Sequence, residues 1–182
     1  LTVSLFLEKN EIFHPKVFGI LINKKNCFEK NSYLVMEPVD SMFSQIFFTT
    51  LFSDKSQSTE FYRIIIKTLC NFHNIGIYHA DAKLWNFFCS SLEKVETFGM
   101  FDFDGSLIYK KLSIKKRLLD FGRLLASIIE LNHVRKIDLY NDEFLKFAVS
   151  VYENSSKIEI STQILYDVLD GILAKKSIVR KY

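Results

Sequence analysis

The chain has 182 residues, 48% of them apolar and 18 of them Phe, enough for one packed domain or two small lobes sharing a core. A formal net charge of +3 is too small to point to nucleic-acid binding, and no run approaches the ~20 apolar residues of a membrane-spanning helix. Six Gly and two Pro argue against a turn-rich all-β fold, and the odd, scattered cysteines (Cys27, Cys70, Cys89) suit free thiols of a reducing compartment.

In chain order, residues 1–13 carry apolar side chains at helical spacing without a breaker, predicting a helix that ends before His14-Pro15. Residues 16–23 and 32–39 are rich in β-branched and aromatic types around a Lys-Lys-Asn turn, as in an antiparallel hairpin ending at Pro38. A short helix fits residues 40–52, and the polar stretch Ser53–Thr59 reads as a linker. Ser58 or Thr59 would then cap a helix over 60–75 with Phe61, Ile64, Ile65, Thr68, Leu69 and Phe72 on one face, closed by Gly76. Two short strands are expected at 84–89 and 97–103 around a polar turn at Ser90–Lys94, and helices at 114–131, 142–153 and 161–175. A small β-part followed by a mostly helical part makes the fold class α+β in two lobes, 1–39 and 40–182.

Two motifs carry chemistry. Residues 79–86 read His-Ala-Asp-Ala-Lys-Leu-Trp-Asn, and Phe101-Asp102-Phe103-Asp104-Gly105 follows. They supply a proton acceptor (Asp81), a cation suited to a phosphate (Lys83) and hard oxygen ligands for magnesium (Asn86, Asp102). Phosphoryl transfer needs that set, because it asks for positioning and charge neutralisation more than for covalent chemistry. A carboxylate flanked by Phe101 and Phe103 is costly to bury without a compensating cation. Asp104, two residues on, would point the same way if the segment were a strand, adding a metal contact, or would form a turn before Gly105. His79 reads as a structural support of the loop, and no histidine has zinc spacing with the cysteines. The basic runs at 110–117 and 175–181 are either solvated faces or a contact for anionic headgroups.

The spacing H-x-D-x-K-x-x-N resembles the catalytic loop of the protein-kinase-like fold. Within that fold the chain is similar to the lipopolysaccharide kinase family, which phosphorylates Kdo or heptose of the inner core. Gly76–Asp81 with Asn86, the Asp102-Phe103-Asp104 spelling and the run Asp120–Ser127 carry the resemblance. Leu34–Val39 looks like the last N-lobe strand entering an adenine-holding hinge.

The resemblance implies an ATP- and Mg²⁺-dependent kinase, with Asp81 as base or orienter and Lys83 as phosphate cation. Glu37 and Val39 would meet adenine through their backbones, and Asn86, Asp102 and Asp104 would be the metal set. It places Asp120 at the catalytic-loop backbone. The expected substrate is a sugar or glycolipid and the expected place the cytoplasm, peripheral at an inner membrane, with no nucleic-acid partner. RIO-type and aminoglycoside or choline kinases share the His-x-Asp…Asn pattern, which leaves them as alternatives. About fourteen residues precede Pro15, so the Gly-rich loop and the lysine strand of a full N-lobe are not expected among the residues given. Glu8 is out of register for the lysine's usual acidic partner, whose place falls near Leu5. A truncated N-lobe, or a degenerate non-catalytic binding module, is therefore also expected.

Overall fold

The computed structural model describes residues 2–24, 30–38, 55–89, 98–135 and 142–175. The first helix, α1 (Thr2–Lys9), stops short of the predicted Phe13. Glu11 adopts a left-handed backbone with φ 55°. The amides of Glu11 and Ile12 then bond back to the carbonyls of Glu8 and Leu7, at 3.1 and 3.0 Å. Those two bonds form a Schellman ending without its usual glycine, so sequence gave no stop signal. Leu7 anchors α1 in the core, whereas Leu5 and Glu8 face solvent.

The predicted hairpin is present as β1 (Val17–Lys24) and β2 (Lys30–Met36), antiparallel with Gly19 opposite Val35 and Leu21 opposite Tyr33. The Glu37 amide bonds Lys16 O at 2.8 Å and closes its base. The expected Lys-Lys-Asn turn, the helix at 40–52 and hinge residue Val39 lie wholly or largely outside the described residues, as do Cys27 and the Ser90–Lys94 turn.

The long helix α2 (Lys55–Asn74) begins five residues before the predicted start at 60, so Lys55–Thr59 is helix and not linker. Ser58 is buried, and that packing outweighs the polar composition of the stretch. The six predicted core-facing residues of α2 are all buried. Its far end turns at Gly76, which has φ +92° and would place a Cβ 1.9 Å from Tyr109 O. Only glycine fits both the dihedral and the gap.

After Gly76 comes β3 (Ile77–Tyr78), paired antiparallel with β6 (Leu107–Ile108), a pairing the sequence did not suggest. The predicted strand at 84–89 divides into a 3₁₀ turn (Leu84–Asn86) and β4 (Phe87–Cys89). Its partner β5 (Phe98–Met100) ends before Asp102, so the strand expected over 97–103 is shorter.

Helices α3 (Ile114–Arg135), α4 (Asp142–Ser156) and α5 (Thr162–Ala174) complete a mixed α+β fold with small antiparallel sheets. The helix α2 packs along α4, and α3 along α5. A Cβ on Gly122 would sit 2.8 Å from Val168 Cγ1, so a missing side chain lets α3 and α5 approach. The core runs through Ile65, Leu69, Phe72, Leu84, Phe87, Met100, Phe121 and Tyr152, directly beneath the two motif loops. No described helix is long and apolar enough to cross a membrane.

Candidate functional site

The 79–86 loop is held from below by one buried carboxylate. Asp120 lies in the second turn of α3, and it is fully buried. Its Oδ2 accepts from the His79 amide at 2.7 Å and from His73 Nε2 at 3.4 Å. Its Oδ1 accepts from the Ala80 amide at 3.1 Å and from Arg123 Nη1 at 3.1 Å. A buried charge persists when its lone pairs are filled in this way. The two amides bound by Asp120 lead into the sharp turn at Ala80, whose φ is 69°. Asp120 thereby stabilises a backbone conformation that Ala alone disfavours.

A second layer supports Asp120. His73, also fully buried, meets the Tyr152 hydroxyl through Nδ1. Burial holds the His73 pKa below its ordinary value, partly offset by the hydrogen bond to Asp120. A neutral ring fits one tautomer: Tyr152 donates to Nδ1, and Nε2–H donates to Asp120. Arg117, inside the run read as a basic face, turns inward and donates to His73 O at 2.9 Å and to Asn74 Oδ1 at 3.2 Å. The neighbouring Lys116 rests over the Tyr78 and Tyr109 rings, 4.5 and 4.8 Å from their centroids. Lys110, Lys111 and Lys115 are exposed.

His79 ties the two motifs together. Its Nε2–H donates to Phe101 O at 3.0 Å, its carbonyl accepts from Ser106 Oγ at 2.8 Å, and its ring packs on Phe103 at 5.2 Å. Burial keeps its pKa below the ordinary value, with the Phe101 hydrogen bond opposing. The residue is structural, as the sequence suggested.

Above this frame, Asp81, Lys83 and Asn86 converge. Lys83 Nζ lies 2.6 Å from Asp81 Oδ2, and Asn86 Nδ2 donates to that same oxygen at 3.1 Å and to Asp81 O at 2.8 Å. The Asn86 amide group is therefore orientated, with nitrogen toward Asp81 and Oδ1 left as an acceptor. Both members of the Asp81–Lys83 pair are more than 40% exposed, so the pair is weak and readily exchanged for another partner. Leu84 N donates to Ser127 Oγ at 2.8 Å, which pins the 3₁₀ turn to α3.

The second motif arrives through Phe101 N, which donates to Asn86 O at 3.0 Å. Phe101 packs on Phe88 and Phe103 on Phe72, which leaves Asp102 between them exposed. Asp102 has φ 61°, a left-handed conformation outside any strand. One expectation fails here, since Asp102 is not a carboxylate buried among aromatics on a strand. Of the two readings of Asp104, the turn before Gly105 holds and the strand face shared with Asp102 does not. Among the described residues no three His, Cys, Asp or Glu side chains form a metal cluster. Asn86, Asp102 and Asp104 offer oxygens of the kind Mg²⁺ takes, and that ion keeps several waters and relies on substrate phosphates for the rest, but of the three only Asn86 is joined by its side chain to Asp81.

Glu37 sits half-buried at the foot of β2, away from the motif loops in sequence and outside their hydrogen-bond network among the described residues. Sequence reading missed Ser106, His73 and Tyr152. Of the supporting residues, the sequence pointed to His79 and Asp120, and to Ser127 only as the end of the run Asp120–Ser127.

No family model and no curated protein matches the chain. A solved structure of WaaP in complex with acyl carrier protein does match, with a TM-score of 0.59 at 13% identity, covering 97% of this chain and 72% of that one. The two share a fold. At that identity the likeness concerns architecture alone, and the chemistry rests on the residues described above.

Proposed function

We propose that the chain is an ATP- and Mg²⁺-dependent phosphotransferase of the protein-kinase-like fold, acting on a sugar hydroxyl of the lipopolysaccharide inner core, Kdo or heptose. The observation that carries this reading is the convergence of Lys83 and Asn86 on one oxygen of Asp81, with the amide of Phe101, the residue before Asp102, bonded to Asn86 O. Asp81 Oδ2 is occupied by those two donors, so Oδ1 is the atom offered to an acceptor hydroxyl. The hydroxyl proton passes toward that oxygen as the acceptor O–P bond forms and the bond from the γ-phosphorus to ADP breaks. Lys83 leaves its weak pair with Asp81 to neutralise the γ-phosphate. Asn86 Oδ1 and Asp102 would hold Mg²⁺, with Asp104 at its rim. When bound, the ion neutralises phosphate charge and orients the triphosphate. Adenine would lie against the backbone at Glu37 and Val39. The site belongs where ATP is, and the exposed Lys110, Lys111 and Lys115 suit the cytoplasmic face of an anionic membrane.

A second reading, a kinase-like module without turnover, is favoured by one observation. The helix α1 presents exposed Leu5 where a lysine-pairing acid is expected. Transfer of labelled phosphate from ATP to Kdo-lipid A, an aminoglycoside and a generic protein separates the readings. Transfer to Kdo-lipid A that falls by about 10²–10⁴ in Asp81→Ala is expected. No transfer to any acceptor, or full activity in Asp81→Ala, would overturn the proposal.

A further inference from the structure

Trp85 is the single tryptophan of the chain and is 40% exposed. Its surroundings make that exposure unusual. Ala82, Leu84 and all residues from Asn86 to Cys89 are buried. A 3₁₀ turn has about three residues per turn, so Leu84 and Phe87 fall on one side, and both lie in the core. Of the two side chains between them, Asn86 is buried and Trp85 is exposed. Elsewhere among the described residues the large exposed aromatics are Phe18 and Tyr33, both on the β1–β2 hairpin.

Trp85 is also carried on the most firmly tied part of the site. It stands between Lys83 and Asn86, the two residues whose side chains meet at Asp81 Oδ2. The turn bearing it is fixed by Leu84 N to Ser127 Oγ, Asn86 N to Lys83 O, and Phe101 N to Asn86 O. A flat ring on a rigid turn keeps a constant position relative to Asp81 and loses little conformational freedom when something settles on it.

We propose that Trp85 is the acceptor platform, an aromatic surface that takes the apolar C–H face of a sugar ring while a hydroxyl of that ring reaches Asp81. Indole offers the largest aromatic face and a negative quadrupole, which attracts the polarised C–H bonds of a pyranose. An anionic phosphate or an extended acidic peptide gains nothing from such a face. The inference rests on the phosphotransferase reading of the same site and assigns the residue that holds its sugar acceptor.

Because the chain has one tryptophan, its own fluorescence reports the platform. The test titrates the full chain, excited selectively at tryptophan, with lipid-free inner-core oligosaccharide, with an acidic peptide, and with a non-hydrolysable ATP analogue plus Mg²⁺. The platform predicts a saturable change with the oligosaccharide and none with the peptide. Trp85→Ala, followed by calorimetry, should weaken oligosaccharide binding about tenfold or more and leave nucleotide affinity within about twofold. Trp85→Phe should recover most of that loss. No saturable response of the native chain to the oligosaccharide, or equal affinity in Trp85→Ala, would overturn the platform. So would a loss confined to the nucleotide. Sugar binding that depends on Trp85 without phosphate transfer from ATP would instead defeat the phosphotransferase reading and leave the platform standing.

Discussion

Replacing Asp120 by Asn keeps the shape of the side chain and changes one oxygen into a donor. Asp120 accepts from the His79 amide and His73 Nε2 on one oxygen, and from the Ala80 amide and Arg123 on the other. Whichever way the new amide points, its NH₂ meets a backbone N–H, at His79 or at Ala80. A buried donor left without an acceptor costs about 1–3 kcal/mol. Loss of the charge weakens the remaining charge-assisted bonds, and the partly exposed Arg123 pair adds about 1 kcal/mol at most. The expected destabilisation is about 2–4 kcal/mol, a large share of the ~5–15 kcal/mol that holds a typical domain. Urea unfolding followed by circular dichroism reads it as a lower midpoint at unchanged slope. Amide hydrogen exchange at His79 and Ala80 should accelerate in the same variant. A shift under about 0.5 kcal/mol with unchanged exchange would refute the reasoning, because the loop would then not depend on Asp120.

His73 is held neutral by burial, below its ordinary pKa of 6.5. The unfolded chain therefore binds the extra proton first. Its contribution to stability should be complete above about pH 6.5 and decline as pH falls, by up to about 1.4 kcal/mol per pH unit. Urea midpoints between pH 7.5 and pH 5 check this, and a His73→Gln chain that keeps the full slope would contradict it. Gly76→Ala forces a Cβ to 1.9 Å from Tyr109 O at φ +92°, so a loss of more than about 2 kcal/mol is expected in the same unfolding assay. Ser127→Ala leaves the Leu84 amide without its acceptor, for a loss of about 1–3 kcal/mol, whereas Ser127→Thr should restore most of it. Unchanged stability in Ser127→Ala would remove the link between α3 and the 3₁₀ turn.

Strong periodicity and distinctive motif spacing were legible, and backbone irregularities were not. The inward face of α2 was readable because six apolar or small residues recur at helical spacing, and each is buried. The end of α1 was hidden, since Glu11 adopts the left-handed conformation that usually announces itself as glycine. Asp102 misled for the same reason. Its neighbours Phe101 and Phe103 look like a strand, but its φ of 61° ends the extended geometry. The pairing of β3 with β6 involves two residues on each side, too few for an alternating pattern. The His73–Tyr152 bond spans 79 residues of sequence, and no local signal joins them. Arg117 shows the limit of reading charge runs, because one member of a basic cluster turns inward to cap the end of α2. The pieces of the site itself, Asp81, Lys83 and Asn86, were named from the 79–86 motif and its resemblance to a kinase-like catalytic loop, and the structure brings their side chains together.

The central claim, a site for phosphate and magnesium built on Asp81, Lys83, Asn86 and Asp102, is tested most directly by calorimetry. A non-hydrolysable ATP analogue is titrated into the native chain and into Asp102→Asn, each with Mg²⁺ and with a chelator. A phosphate-and-magnesium site predicts saturable binding that requires Mg²⁺ and weakens about tenfold or more in the variant. Binding of equal strength with and without the metal, or no binding by the native chain, would contradict it.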